Sequence, residues 1–200
     1  MLLLRSSAQH LYWLGRYLSR IGYIAVHVPV QDDLQAAHFS QALGLHFKDA
    51  KTLNQLLLDP EHERSLTHQL QLVRDNIQEL RGLLSASAYA ELNHLIQHAA
   101  SDAFSIQTAV AQCCSILQAE AKDICLFFKI GQCIEQIDTY FRFRHNTHSV
   151  IYMTDPIMQQ LFDLGWVELQ SSWKILKHQP DVNQFYAFTY KLEHQFEACA

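Results

Sequence analysis

Apolar residues recur along this chain at alternating spacings of three and four, the pattern of a helix with one buried face. Three segments carry the pattern. They are Leu11, Leu14, Leu18, Ile21, Ala25 and Val28; Leu66, Leu70, Val73, Ile77, Leu80 and Leu84; and Phe127, Ile130, Ile134, Ile137 and Phe141. None is long enough for an extended coiled coil, and strict period-two alternation is absent. The sequence therefore predicts an all-α fold, a compact multi-helix bundle.

Proline and capping residues predict where several helices begin. Asp59-Pro60-Glu61 and Asp155-Pro156 each place a capping side chain before a proline at the first helical position. Gln179-Pro180-Asp181 precedes the last predicted helix, and Ser87 and Ser101-Asp102 mark breaks in the middle of the chain. Together these signals predict roughly seven to nine helices. No linker or composition shift divides them, so we expect a single domain over residues 1–200.

One helical motif occurs twice in the chain. Residues 11–21 read Leu-Tyr-Trp-Leu-Gly-Arg-Tyr-Leu-Ser-Arg-Ile, and residues 127–137 read Phe-Phe-Lys-Ile-Gly-Gln-Cys-Ile-Glu-Gln-Ile. Gly15 aligns with Gly131, and the apolar positions align around them. We interpret this as an internal pseudo-repeat of the Leu-Gly-Arg-Tyr-Leu-x-Arg helix. The glycines are expected to let two helices approach closely rather than to hold a ligand.

The two copies of the motif differ in their charges. Glu135 stands at the place of Ser19, and Gln136 stands at the place of Arg20. One copy therefore carries the arginine and the other carries the carboxylate. If the copies pack about a pseudo-twofold axis, we expect Arg20 to meet Glu135.

We predict a binding groove between helices, lined by polar side chains from several segments. The residues assigned to it are Arg16, Arg20, Arg74, Asn76, Glu135 and Asp138. The alternative is that these charges only stabilise helices. Asp138 and Arg142, one turn apart, would then form an ordinary pair worth about 0.2–0.5 kcal/mol. Both interpretations stay open.

Composition limits the classes of function. The net charge of −5 gives no electrostatic case for nucleic acid. No run approaches the ~18 apolar residues of a membrane-spanning helix, and the three leucines after Met1 are too few for a leader, so we expect a soluble cytoplasmic protein. Five cysteines without paired spacing are typical of reduced thiols.

Other candidate chemistry is weaker than the repeated motif. His94 and His98 are one helical turn apart, a spacing that can hold a metal, but no HExxH motif accompanies them. Cys113, Cys114, Cys125 and Cys133 lie in apolar helices and are expected to be core residues. Since no phosphate-binding or nucleotide-binding glycine motif is present either, we expect no metal, no cofactor and no catalytic activity.

The motif at residues 11–20 resembles the opening of the alpha-E family (domain of unknown function 403), bacterial all-helical proteins named for a repeated Glu-Arg motif. The resemblance continues through residues 57–66, 73–77, Arg81, 84–85, 91–93 and 130–138, and covers the chain to about residue 140. Three positions depart from the family pattern. Ser19 replaces its glutamate, Gln136 replaces its arginine, and Gln132 matches Arg16. The chain is also shorter than typical members.

The resemblance implies association with circularly permuted ATP-grasp ligases and transglutaminase-like proteins, which accompany the family in bacterial gene clusters. We therefore expect a non-catalytic accessory or scaffold protein of an amide- or peptide-ligase system. The alternative is an enzyme or substrate-binding subunit that recognises an anionic amino-acid or peptide group in the polar groove. A third possibility is a homodimer whose interface contains exposed aromatic residues such as Trp166 and Trp173.

Overall fold

The computed structural model describes residues 3–99 and 102–197. This part of the chain contains no strand, so the prediction of an all-α fold is confirmed. Its helices are α1 (Arg5–His27), α2 (Asp33–Ala42), α3 (Ala50–Leu58), α4 (Leu66–Glu79), α5 (Ala86–His98), α6 (Ala103–Ala119), α7 (Lys122–Arg142), α8 (His148–Asp163), α9 (Gln170–His178) and α10 (Val182–Glu197), with a short 3-10 helix at Val167–Leu169. None of these helices is long and apolar enough to cross a membrane.

The chain divides into two compact units, and the division falls inside α1. The first unit is Met1–Arg16 with Ala121–Ala200, and the second is Tyr17–Glu120. The expectation of a single domain over residues 1–200 stays a prediction.

The first unit is built around α7, which is apolar on several faces. It packs against α8 and α10, and α9 packs against the same two helices. The side chains that fill this core are fully or almost fully buried: Leu11, Leu14, Phe128, Ile130, Ile134, Ile137, Met158, Trp173, Phe185, Phe188 and Leu192. A helix with buried residues on more than one face belongs in the interior of a bundle, and α7 therefore positions the other helices of the unit.

The N-terminal half of α1 crosses α7 at the two aligned glycines. A Cβ atom added to Gly15 would collide with the backbone carbonyl oxygen of Phe128, and one added to Gly131 would collide with that of Tyr12. The contacts are reciprocal, since each carbonyl belongs to the residue three positions before the opposite glycine. Only glycine permits this approach. The prediction that these glycines serve close helix packing is confirmed.

In the second unit each helix packs against the next one along the chain, from α2 to α6. The buried core of this unit contains apolar residues of α4 together with residues from the neighbouring helices. They include Leu53, Leu57, Leu66, Val73, Ile77, Leu92, Ile106 and Leu117. Helices joined by short connections pack as antiparallel neighbours, which is the expected arrangement for such a pattern.

The predicted helix start at Asp59-Pro60-Glu61 is wrong. Asp59 caps the C-terminal end of α3, and its Oδ1 accepts a hydrogen bond of 3.0 Å from the backbone N–H of Glu61. The next helix begins only at Leu66, where the side chain of Ser65 accepts from the N–H of His68. Aspartate before proline favours a turn as well as a helix start, and the apolar seam begins at Leu66, so packing selects the later position.

The predicted start at Asp155-Pro156 is also wrong, because α8 begins at His148 and continues through Pro156. Asp155 does not cap a helix. Its carboxylate accepts from Trp173 Nε1 at 2.7 Å and from Lys177 Nζ at 2.6 Å. Buried residues on both sides of the proline lie on one face of α8, and their burial offsets the lost backbone hydrogen bond. These residues are Val150, Ile151, Met158 and Leu161.

The remaining boundary predictions have mixed outcomes. The break at Ser87 is wrong, because α5 begins after the capping residue Ser85 and Ser87 lies inside the helix. Asp102 caps α6 as predicted, with its side chain accepting from the N–H of Ser105, while Ser101 lies outside the described residues. Asp181 directly precedes α10, as predicted.

The two tryptophans proposed for a dimer interface are not exposed. Trp173 is buried, and its ring packs against Phe188 with 5.2 Å between centroids. Trp166 is half-buried and contacts the rings of Phe127 and Phe196. The choice of Trp173 as an exposed interface residue is therefore wrong, whereas the choice of Trp166 stays a prediction. The homodimer itself stays a prediction.

Replacing Gly131 with alanine is expected to destabilise the first unit by about 1–3 kcal/mol or more, because the added Cβ forces α1 and α7 apart. All three tryptophans lie in this unit, so urea unfolding followed by tryptophan fluorescence measures the loss. Gly82→Ala is the matched control, since its Cβ would meet no atom within 4 Å, and circular dichroism should show little change. Equal stability of Gly131→Ala and wild type would contradict the close crossing.

Candidate functional site

The polar centre of the first unit is the side chain of Arg16, which follows Gly15 on α1. The close crossing brings this side chain against α7. Its Nε donates to Glu135 Oε2 at 3.0 Å, and its Nη2 donates to Asp138 Oδ2 at 3.2 Å. Arg16 is 8% exposed, Glu135 1% and Asp138 0%. Three charged groups are therefore withdrawn from water at the junction of two helices.

The last helix, α10, adds two residues to this centre. Glu193 Oε1 accepts from Arg16 Nη1 at 3.1 Å and from the hydroxyl of Tyr12 at 2.9 Å. The hydroxyl of Tyr186 donates to Asp138 Oδ1 at 3.4 Å. The hydrogen bonds thus connect α1, α7 and α10. We refer to Tyr12, Arg16, Glu135, Asp138, Arg142, Tyr186 and Glu193 as the Arg16 cluster.

Three further contacts surround the arginines of the cluster. Arg142, one turn after Asp138 on α7, donates from Nε to Asp138 Oδ1 at 3.1 Å, so the predicted contact is confirmed, but it is not an ordinary helix-surface pair because Asp138 is fully buried. The guanidinium carbon of Arg16 lies 5.1 Å from the ring centroid of Trp13 and 5.8 Å from that of Tyr12. Cation–π attraction of this kind strengthens as the groups lose water.

The electrostatics of the cluster keep Arg16 charged. Burial by itself would lower the pKa of Arg16, but Tyr12 and the carboxylates of Glu135 and Asp138 together raise it above its ordinary value. Burial also raises the pKa of Tyr12, which stays a neutral hydrogen-bond donor. Neither group exchanges a proton near neutral pH, so general acid–base catalysis by these two residues is not supported.

The cluster carries more negative than positive charge. It contains the guanidinium groups of Arg16 and Arg142 and the carboxylates of Glu135, Asp138 and Glu193, which leaves one formal negative charge. An anionic ligand approaching Arg16 would meet three carboxylates already bonded to it. The arrangement is suited to joining three helices, because buried ion pairs with good geometry specify one packing partner.

The structure brings together three of the six predicted site residues. Arg16, Glu135 and Asp138 meet in the first unit, with Arg16 as a partner of Glu135 that the sequence analysis did not name. Arg20, Arg74 and Asn76 belong to the second unit. The predicted Arg20–Glu135 pair and the groove shared by all six residues stay predictions.

Sequence reasoning missed Tyr12, Tyr186 and Glu193. Tyr12 has a signal in hindsight, because it lies one turn before Arg16 on the same helix and can reach the same partners. No sequence signal points to Tyr186 or Glu193. Tyr186 lies 48 residues from Asp138 along the chain, and Glu193 lies 177 residues from Arg16. No motif marks their helix as part of the cluster.

Two of the departures from the Glu-Arg pattern, at Gln132 and Ser19, occupy the positions that correspond to Arg16 and Glu135 in the other motif copy. In the alignment of the two motif copies, Arg16 corresponds to Gln132 and Glu135 corresponds to Ser19. The charged pair Arg16–Glu135 is present, and both positions of the equivalent pair are uncharged. Loss of both charges leaves neither one unpaired, which is the less costly change for buried groups.

None of the cysteines and histidines singled out from the sequence is a member of the Arg16 cluster. Burial raises the pKa of Cys113 to about 12 and that of Cys114 to about 11, so both thiols are protonated at neutral pH. His94 and His98 are exposed on α5. In residues 3–99 and 102–197, no three His, Cys, Asp or Glu side chains are grouped so that they could hold a metal ion.

Comparison with known families confirms the resemblance to the alpha-E family. The family model of Alpha-E, described as a predicted alpha-helical domain with a conserved ER motif, matches residues 3–172. No curated protein and no solved structure shows a match to this chain. The matched residues include α1 and α7, which carry the two motif copies, and end before α10 begins at Val182.

Arg16→Met is expected to destabilise the first unit by about 3–5 kcal/mol, because it removes the guanidinium that the buried carboxylates of Glu135 and Asp138 share. Urea unfolding followed by tryptophan fluorescence measures the change. Arg144→Met, at an exposed arginine after α7, is the control and should change stability by less than about 0.5 kcal/mol. Adding Glu135→Gln to Arg16→Met should recover part of the loss. Equal effects of the two single arginine changes would contradict a structural Arg16.

Cys113 is expected to react with iodoacetamide about 10³-fold more slowly in the folded protein than in concentrated guanidinium chloride at pH 8, because the thiolate is the reactive form. A pKa of about 12 leaves very little thiolate at that pH, and the thiolate fraction rises tenfold with each unit of pH. Mass spectrometry of the labelled peptide measures the rate. Similar rates in the folded and unfolded chains would show that the thiol is accessible and ionised.

Proposed function

The chain belongs to the Alpha-E family, and from this membership we propose that it is a non-catalytic helical accessory or scaffold protein. We place it in the bacterial cytoplasm, where it assists an ATP-grasp-type ligase in forming amide or peptide bonds. A transglutaminase-like protein is a second candidate partner of the same system. Association of the family with these enzymes in gene clusters supports the choice of partner.

The observation that carries this proposal is the state of the motif residues in the first unit. Arg16 donates to Glu135 at 3.0 Å and to Asp138 at 3.2 Å, and all three residues are at most 8% exposed. Their hydrogen-bonding groups join α1 to α7, and Arg16 joins both to Glu193 of α10. The charged residues of the motif therefore contribute to helix packing, which is what a scaffold requires of them.

Apolar side chains on the surface of the first unit support a docking role. Tyr152 and Met153 are adjacent on α8 and are 76% and 68% exposed, and Tyr190 on α10 is 64% exposed. Contiguous apolar patches on a surface mark protein contacts, whereas single exposed apolar residues are ordinary. We assign the Tyr152–Met153 pair to the contact with the ligase.

The alternative function, recognition of an anionic amino-acid or peptide group between helices, has less support. At Arg16 the carboxylates of Glu135, Asp138 and Glu193 already hold the guanidinium, and they would repel an anion. Arg20 and Arg74 are the remaining cations assigned to that groove, and their contribution stays a prediction.

The proposed function is tested by recovering the tagged chain from its native host and identifying bound proteins by mass spectrometry. We expect an ATP-grasp-type ligase to be enriched over an untagged host. Replacing Tyr152 and Met153 with serine together should reduce the recovered ligase at least about tenfold, because each contributes roughly 1–2 kcal/mol of contact.

Phe104→Ser is the matched control, since Phe104 is 77% exposed but lies in the second unit, and it should leave the recovery unchanged. Recovery of no ligase with the wild-type chain would contradict the proposal. Stabilisation of the purified chain by glutamate or a dipeptide in a thermal-shift assay would favour the anion-binding alternative instead.

A further inference from the structure

Two exposed histidines on α5 lie side by side on the surface of the second unit. His94 and His98 are four residues apart, and their ring centroids are 4.2 Å apart with an angle of 24° between the planes. Both side chains are exposed. Histidines at this spacing lie on one face of a helix, the placement from which a pair can bind one metal once the rings turn toward it.

The hydrogen bond of His98 fixes which of its nitrogens is available. Its Nδ1 lies 2.8 Å from the backbone carbonyl oxygen of His94. A carbonyl oxygen can only accept, so Nδ1 must carry the proton and donate it. In the neutral ring the lone pair then lies on Nε2, which faces away from the helix backbone. A hydrogen bond from one ring nitrogen to a carbonyl is the usual support for a histidine whose other nitrogen binds a metal.

A groove beside the pair offers space for the rest of a coordination sphere. Its volume is about 250 Å³, and it lies between α5 and α6. The polar side chains of Ser105, Thr108 and Gln112 line it together with the two histidines. Water molecules bound to an ion at the histidines could therefore hydrogen-bond to α6.

We propose that His94 and His98 form a surface site for a divalent transition metal. Imidazole nitrogens select Cu²⁺, Ni²⁺ and Zn²⁺ over Mg²⁺ and Ca²⁺, which prefer oxygen. In the described part of the chain no third His, Cys, Asp or Glu joins the pair, so water fills the remaining positions. Such a site exchanges its metal readily and binds Cu²⁺ most tightly of the three ions. The inference is independent of the proposed ligase partner.

The test is an isothermal titration calorimetry experiment in which Cu²⁺, Ni²⁺, Zn²⁺ or Mg²⁺ is added to the metal-free wild-type protein. We expect one equivalent of metal to bind more tightly than the rest. Its affinity should be highest for Cu²⁺ and lower for Ni²⁺ and Zn²⁺, and Mg²⁺ should not bind. His94→Gln and His98→Gln should each weaken that equivalent at least about tenfold, because a single imidazole loses the chelate. Electron paramagnetic resonance of the Cu²⁺ form should show two nitrogen ligands in wild type and one in either variant.

The chain contains twelve histidines, so the control must remove an equal number elsewhere. His145→Gln combined with His148→Gln removes two exposed histidines from the first unit and should leave the tight equivalent unchanged. The proposal is overturned if wild type shows only weak binding spread over many histidines. It is also overturned if the α5 variants bind like wild type, or if the control double variant loses the tight equivalent.

Discussion

The first unit depends on one close crossing between two helices. Because Gly15 and Gly131 lack side chains, the backbones of α1 and α7 touch, and the residue that follows Gly15 is carried into the interior. That residue is an arginine, and a buried guanidinium is tolerable only with acceptors around it. Glu135, Asp138 and Glu193 provide them. Steric contact and charge pairing therefore select the same arrangement of helices.

This dependence concerns two of the three departures from the Glu-Arg pattern, those at Ser19 and Gln132. The ion pair between α1 and α7 is kept at Arg16 and Glu135, and the equivalent positions of the other copy, Gln132 and Ser19, hold no charge. A sequence comparison counts these as separate losses. In physical terms the two positions belong together, since with both uncharged neither leaves a charge without its partner.

Helix content was predictable from the sequence, whereas several boundaries were not. The seams that include Leu66, Val73 and Ile134 are buried as their spacing indicates, because periodic burial is a local property. Two helix starts were wrongly predicted from an aspartate before a proline, at Asp59 and at Asp155. That pair is also compatible with a turn or with the middle of a helix. The partners of Arg16 depend on the crossing angle and on a distant helix, and neither is encoded in local spacing.

The helix α10 has a consequence for how the family domain is delimited. The matched region ends at residue 172, yet Phe185, Phe188 and Leu192 beyond it are fully buried in the core. A shortened protein ending at that boundary would expose the apolar surface that these side chains cover, and it would expose the Arg16 cluster to water. Recombinant work on this chain should therefore retain the segment through Glu197, because the region matched by the family model is shorter than the part of the chain that packs into one core.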